Sequence, residues 1–206
     1  MTPNKKGNAH KRKSYNTLFL AIAIIVIIVF SIGAYLAVAN QGAPATIPPT
    51  KVLLQTTAGN ITIDLKTDKP ITSGNFINLV KEGKYDDTTF YRTVATFMIQ
   101  GGKVSGSVST IKDEIGSNNR NTNYTIAMAN AGPNTGSSQF FINVEDNGQK
   151  YAPSFDATYA VFGTVISGKD VVDAIANAPA TENPNIPGEI SVPVNPVTII
   201  KASIVP

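Results

Sequence analysis

Apolar residues are distributed along this chain in two ways. From Leu18 to Ala39 they form one run, LFLAIAIIVIIVFSIGAYLAVA, with no charged residue inside it. After Lys51 they come in short clusters separated by glycine, proline, asparagine and serine. The first pattern predicts a single helix and the second predicts many short strands. As a helix, residues 18–39 extend about 33 Å, enough to cross a hydrocarbon core.

Val52–Thr57 and Asn60–Leu65 read as strands joined at Ala58-Gly59, with Ile61, Ile63 and Leu65 on one face. Pro70–Glu82 predicts a helix. Asp68 or Thr67 can cap it, Pro70 suits its first turn, Phe76, Ile77, Leu79 and Val80 form its apolar stripe, and Gly83 ends it. Phe90–Val94 and Phe97–Gln100 predict a hairpin turning at Ala95 and Thr96. Met98 and Gln100 then share one face, and Phe97 and Ile99 the other unless the second strand begins irregularly. Further strands are expected at Tyr124–Ala129, Gln139–Val144, Tyr159–Val165 with a bulge at Gly163, and Pro196–Ile204. Lys169–Ala178 reads as a short helix. Lys103–Asn123, Glu145–Thr158 and the proline-rich Pro179–Pro193 read as loops. Many short strands with two helices between them argue for a mainly β fold, a closed antiparallel barrel with the helices over its ends.

Charge divides the chain at the apolar run. Lys5, Lys6, Lys11, Arg12 and Lys13 precede it with no acid among them; without those five, the 17 cations fall to 12 against 14 acids. The net +3 therefore belongs to the tail, and nucleic-acid binding by the folded part is not expected. Cations before an apolar run predict that residues 1–17 stay cytoplasmic, residues 18–39 span the membrane, and the rest is extracytoplasmic. Ala37-Val38-Ala39 fits a signal-peptide cleavage pattern, but the length of the run favours an uncleaved anchor. Either reading exports the same domain. Residues 40–50, with Pro44, Pro48 and Pro49, form a semi-rigid linker, and residues 51–206 form the domain.

Composition then narrows the chemistry. There is no cysteine, and the one histidine, His10, lies in the tail. Thiolate and histidine metal sites, a cysteine nucleophile and a Ser-His-Asp triad are excluded from the domain. No metal or cofactor is implied, and the domain is taken as a monomer. Two stretches remain. In FYRTVATFMIQGG, residues 90–102, Arg92 sits within an apolar hairpin, where an unpaired guanidinium is unfavourable to bury. Its plainer reading is a surface arginine with its head in water. In MANAGPNTGSSQFFI, residues 128–142, Gly132, Pro133 and Gly136 impose an irregular backbone that can offer main-chain groups to a partner. Its plainer reading is a structural loop with turn-capping amides.

Together, FYRTVATFMIQGG, MANAGPNTGSSQFFI and YAVFGTV resemble the cyclophilins, a family of peptidyl-prolyl isomerases, over residues 51–206. The resemblance implies an eight-stranded antiparallel barrel capped by two helices. It implies that Arg92 is the catalytic arginine and that Phe97, Met98 and Phe141 wall a proline pocket. Gln100 and Gln139 match polar groups flanking the substrate, and Gln100 is expected to share the catalytic role by orienting Arg92 or the carbonyl that rotates. Ala129 and Asn130 match the segment whose backbone holds the residue before proline. Phe155 and Tyr159 stand where the family usually has leucine and histidine. The chain departs from the family at Tyr91, at residues 93–96 and at Lys103, and it has no tryptophan. Many members carry a tryptophan at the pocket rim, near Ser154 here, so weak inhibition by cyclosporin is expected.

Such chemistry suits the composition. Rotation about an Xaa-Pro bond makes and breaks no bond, so it needs neither nucleophile nor general base. The expected activity is isomerisation of Xaa-Pro bonds in proline-containing polypeptides, assisting the folding of exported proteins. The alternative is a non-catalytic module that binds proline peptides on the same fold as a chaperone or scaffold.

Overall fold

The computed structural model describes residues 46–206; the expected cytoplasmic tail, the membrane helix and most of the linker lie outside the described residues. Among the described residues no helix is long and apolar enough to cross a membrane. The chain opens with β1 (Thr50–Thr56) and β2 (Gly59–Leu65), followed by helix α1 (Pro70–Lys81). Next come β3 (Thr88–Thr89), β4 (Arg92–Val94), β5 (Met98–Gly101), β6 (Thr125–Met128) and β7 (Phe140–Asn143). Two short helices, α2 (Asn147–Lys150) and α3 (Ser154–Thr158), precede β8 (Val161–Ser167) and α4 (Lys169–Ala176). The chain ends with β9 (Ala180–Glu182), β10 (Ile190–Pro193) and β11 (Thr198–Val205).

Nine strands form one curled antiparallel sheet in the order β3-β11-β1-β2-β8-β6-β7-β5-β4, and β9 and β10 form a separate hairpin. Against the expected eight strands the sheet has nine, and its end strands, β3 and β4, do not pair with each other. Phe90 and Tyr91 lie between them. The Phe90 N–H donates to Val197 O beyond one end (2.9 Å), and the Tyr91 N–H donates to Gln100 O on β5 (3.0 Å).

Period-two alternation builds the interior. Val52 opposes Ile63 and Leu54 opposes Ile61 across β1 and β2, and all four are fully buried. Phe76 of α1 enters the same core with its ring centroid 5.0 Å from Tyr85, 5.5 Å from Phe140 and 5.2 Å from Phe162. Burying such a ring contributes about 2–3 kcal/mol. Gly163 of β8 marks an irregular stretch of ladder, as its position in the pattern predicts. A Cβ there would lie 2.8 Å from Asp64 O, so no larger residue fits the approach of β8 to β2.

Three local expectations are corrected. Neither Thr67 nor Asp68 caps α1. Asp68 accepts from Asn118 Nδ2 instead (3.0 Å), and the helix starts at Lys69-Pro70. Its first free N–H groups, those of Ile71 and Thr72, donate to the Glu114 carboxylate at 3.1 and 2.6 Å. An acid from the long loop therefore caps the helix from 42 residues away. Residues 145–158 and 179–193 are not loops throughout, since they hold α2, α3 and the β9–β10 hairpin. Ile47, expected in the linker, donates its N–H to Thr67 O (3.0 Å) and packs against the core.

Candidate active site

The sheet has two apolar faces. The inner one carries the main core. On the opposite face Met98, Ala127, Phe141 and Val161 form a second, smaller buried cluster. Strand register assembles it: Arg92 pairs with Gln100, Gln100 with Phe141, Phe141 with Ala127, and Ala127 with Val161. One row of neighbours thus crosses five strands, β4, β5, β7, β6 and β8, on a single face.

Phe97 joins this face despite its position in the alternation. The turn is one residue longer than expected: Val94 pairs with Met98, and the Phe97 N–H donates back to Val94 O (2.9 Å). Phe97 therefore sits before the ladder rather than in it. Its carbonyl accepts from Asn147 Nδ2 (2.6 Å) and from the Val144 N–H (3.1 Å), which fix its position.

Arg92, Phe97, Met98, Gln100, Ala129, Asn130, Phe141, Phe155 and Tyr159 line one cavity of about 150 Å³. Of the ten residues singled out in the sequence, only Gln139 does not line it. Its amide oxygen lies behind the wall and accepts from the Tyr91 hydroxyl and from Gln100 Nε2. Aromatic rings make the socket. Phe141 meets Tyr159 edge-on at 5.3 Å and Phe155 at 5.9 Å, and Phe97 meets Phe155 at 5.6 Å. Asn130 turns its side chain away, donating to Thr158 O (2.8 Å) and accepting from the Gly132 N–H (3.2 Å). Among the described residues no hydrogen bond engages the Asn130 N–H or carbonyl, so both are available to a bound chain.

Arg92 supplies the charge at this cavity. Nη1 donates to Gln100 Oε1 at 3.3 Å. Nε and Nη2 donate to the two carboxylate oxygens of Glu189 at 2.7 and 2.6 Å. The hydrogen bonds from Glu189 push the Arg92 pKa above its ordinary value, against the opposing effect of burial. Arg92 in turn holds the Glu189 carboxyl below the usual range. The guanidinium carbon also lies 5.8 Å from the centre of the Phe97 ring. Burial raises the Tyr91 hydroxyl pKa, so it remains a neutral donor.

A model of the family described as "Cyclophilin type peptidyl-prolyl cis-trans isomerase/CLD" matches residues 51–204. The chain belongs to the cyclophilins. It is therefore a peptidyl-prolyl cis-trans isomerase by family. A peptidyl-prolyl cis-trans isomerase of Acinetobacter baylyi is 44% identical over 163 residues, covering 75% of this chain and 85% of that protein. One from Streptomyces antibioticus is 40% identical over 164 residues, covering 74% of this chain and 97% of its own length. A solved cyclophilin-type isomerase from Cryptosporidium parvum, crystallised in the presence of the dipeptide Ala-Pro, superposes with a TM-score of 0.65 at 25% identity. The match covers 76% of this chain and 99% of that one.

Several residues of this cyclophilin's site carry no strong sequence signal. Glu189 lies in a segment that reads as proline-rich loop. Tyr151 brings its ring within 5.4 Å of Phe97 and 5.7 Å of Phe155, so the rim near Ser154 has an aromatic group although the chain lacks tryptophan. Behind the rim Asn119, Asn121, Asn143 and Asn147 are buried. Asn119 Nδ2 donates to Asp156 O (2.6 Å) and Tyr159 O (2.8 Å), and its Oδ1 accepts from the Val161 N–H (2.8 Å). Asn143, an amide inside the apolar strand β7, was the one hint of this network in the pattern.

Proposed function

We propose that Arg92 is the catalytic group of this isomerase and that the apolar socket grips the proline ring. The observation that carries this is one charged fork at the edge of a cavity walled by Phe97, Met98 and Phe141. Amide resonance sets a barrier of about 18–20 kcal/mol to rotation. As the bond twists, conjugation is lost and the proline nitrogen regains a lone pair. A hydrogen bond from a fixed cation to that nitrogen stabilises the twisted state more than either planar one. Arg92 suits the task because its pairing keeps it charged and its fork is rigid. Met98 and the aromatic rings hold the ring, and the free backbone groups of Asn130 hold the chain before it, so that rotation is confined to one bond. An Ala-Pro unit, the dipeptide used with the Cryptosporidium protein, matches this division between a small residue and a ring.

The reading extends to location and clients. The uncharged run at residues 18–39 behind five cations supports a membrane-anchored enzyme facing away from the cytoplasm and acting on exported, proline-containing chains as a monomer. Sequencing the mature N-terminus separates its two forms: a start at Met1 means an anchor, and a start at Asn40 means a cleaved signal. For the catalytic role, Arg92→Ala is expected to slow isomerisation of an Ala-Pro peptide by about 10²–10³-fold. The melting temperature should fall only modestly, through loss of the Glu189 pairing. A variant that keeps a third or more of the parental rate would refute the role given to Arg92.

A further inference from the structure

Arg92 offers five N–H donors. Glu189 takes two of them, one on Nε and one on Nη2, and Gln100 takes one on Nη1. One N–H on each terminal nitrogen is left. The guanidinium is thus held along two sides while a pair of its donors has no hydrogen-bond partner among the described residues, and Arg92 lines the cavity. We propose that Glu189 is a positioning residue for isomerisation: it clamps one edge of Arg92 so that the remaining donors meet the proline nitrogen as it pyramidalises. The proposal rests on the role given to Arg92 above.

The fold has built a dedicated arm for this carboxylate. Glu189 precedes β10, and the β9–β10 hairpin lies outside the main sheet with β10 packed against β4, the strand that carries Arg92. Its loop is tied at several points. The Asn183 N–H donates to Glu189 O (2.7 Å), the Glu189 N–H to Ile186 O (3.0 Å) and the Ile186 N–H to Asn183 O (3.1 Å). The buried Asn183 side chain donates to Ser191 Oγ (3.0 Å) and accepts from the Asn185 N–H (3.0 Å). Gly188 takes φ +82°, the left-handed region open to glycine, and its N–H donates to Glu182 Oε1 (3.2 Å). Every one of these contacts fixes the backbone from which Glu189 reaches Arg92. A free arginine has many rotamers, and the sheet register positions only its Cα. A bidentate carboxylate selects one orientation of the planar fork. Gln100 alone, at 3.3 Å on one nitrogen, leaves the plane free to turn about that contact.

The test is a double-mutant cycle in the full-length protein, with kcat and KM for an Ala-Pro peptide measured separately. Glu189→Ala is expected to lower kcat about tenfold and to leave KM within about twofold, because the apolar socket is untouched. Glu189→Gln, which keeps the shape and one acceptor, should fall between Glu189→Ala and the parent. It also serves as the reporter if the alanine variant folds poorly. In an Arg92→Ala background, Glu189→Ala should have no further effect, since the carboxylate acts only through the guanidinium. An unchanged or raised kcat in both single variants, with Arg92→Ala inactive, would overturn the positioning role alone. The same slowing by Glu189→Ala with and without Arg92 would overturn it too, because it would show an effect carried by the fold. Full activity of Arg92→Ala would remove the reading on which the proposal rests.

Discussion

Asn119 offers a measurable link between packing and substrate grip. Its side chain is buried and makes three hydrogen bonds to backbone groups: the carbonyls of Asp156 and Tyr159 and the N–H of Val161. Those groups belong to α3, which carries Phe155, to Tyr159 itself, and to the first residue of β8. Asn119→Ala removes all three partners at once. A buried polar group left unpaired costs about 1–3 kcal/mol, and partial relaxation or water brings the total to about 3 kcal/mol. For a domain of this size that corresponds to a fall of about 6–12 °C in melting temperature. Phe155 and Tyr159 lose their tether, so KM should rise about threefold, while kcat holds because Gln100 and Glu189 still orient Arg92. Thermal unfolding and peptide kinetics on the same samples give both numbers. Asn119→Asp is the discriminating control. A carboxylate can still accept from Val161 but turns a charge toward two carbonyls, so it should be worse than alanine. A loss under about 1 kcal/mol, or an aspartate variant equal to the parent, would show that Asn119 merely fills space.

Glu114→Ala should lower stability by about 1 kcal/mol through loss of the N-terminal cap on α1, with activity unchanged; a change in kcat would contradict the purely structural role. Between about pH 5 and 8 the rate should be flat, since the described residues contain no histidine. Glu189 is charged in both folded and unfolded chains above its ordinary 4.5, so its pairing contributes fully there. That contribution, with the orientation of Arg92, is lost only as pH falls through the depressed folded value, and a titration in the catalysed rate near neutrality would contradict the assignment. Cyclosporin should inhibit weakly despite the Tyr151 ring at the rim; submicromolar inhibition in the peptide assay would refute this.

Much of the site was legible because it lies on local pattern. Period two puts Met98 and Gln100 on one face, and the register of β4, β5 and β7 carries that row from Arg92 to Phe141. Phe97 escaped the alternation because a three-residue turn lifts it out of the ladder, a matter of hydrogen bonding rather than hydrophobicity. Asn119 and Asn121 read as surface because polarity usually means exposure. They are interior because the carbonyls of Asp156 and Tyr159 turn inward and need donors. Glu189 left no local trace, since it lies 97 residues from Arg92 and its loop shows only turn-forming residues.

This division has a physical basis in what the reaction requires. Gripping a proline ring needs apolar surface, which a sheet supplies wherever side chains alternate. Met98, Ala127, Phe141 and Val161 do so on the face opposite the main core. The two clusters are separated by the sheet itself, so the pocket can change without opening the interior that holds Val52, Ile61 and Phe76. Stabilising a twisted amide needs a charge aimed in one direction, and no strand periodicity specifies the plane of a guanidinium. That plane is set by acceptors. One, Gln100, comes from the neighbouring strand, while the other, Glu189, comes from a hairpin outside the sheet. On the proposed roles, binding is encoded where the sequence is periodic, and orientation where it is not. Substitutions in the β9–β10 loop should accordingly alter turnover more than affinity, although that loop does not line the cavity walled by Phe97, Met98 and Phe141.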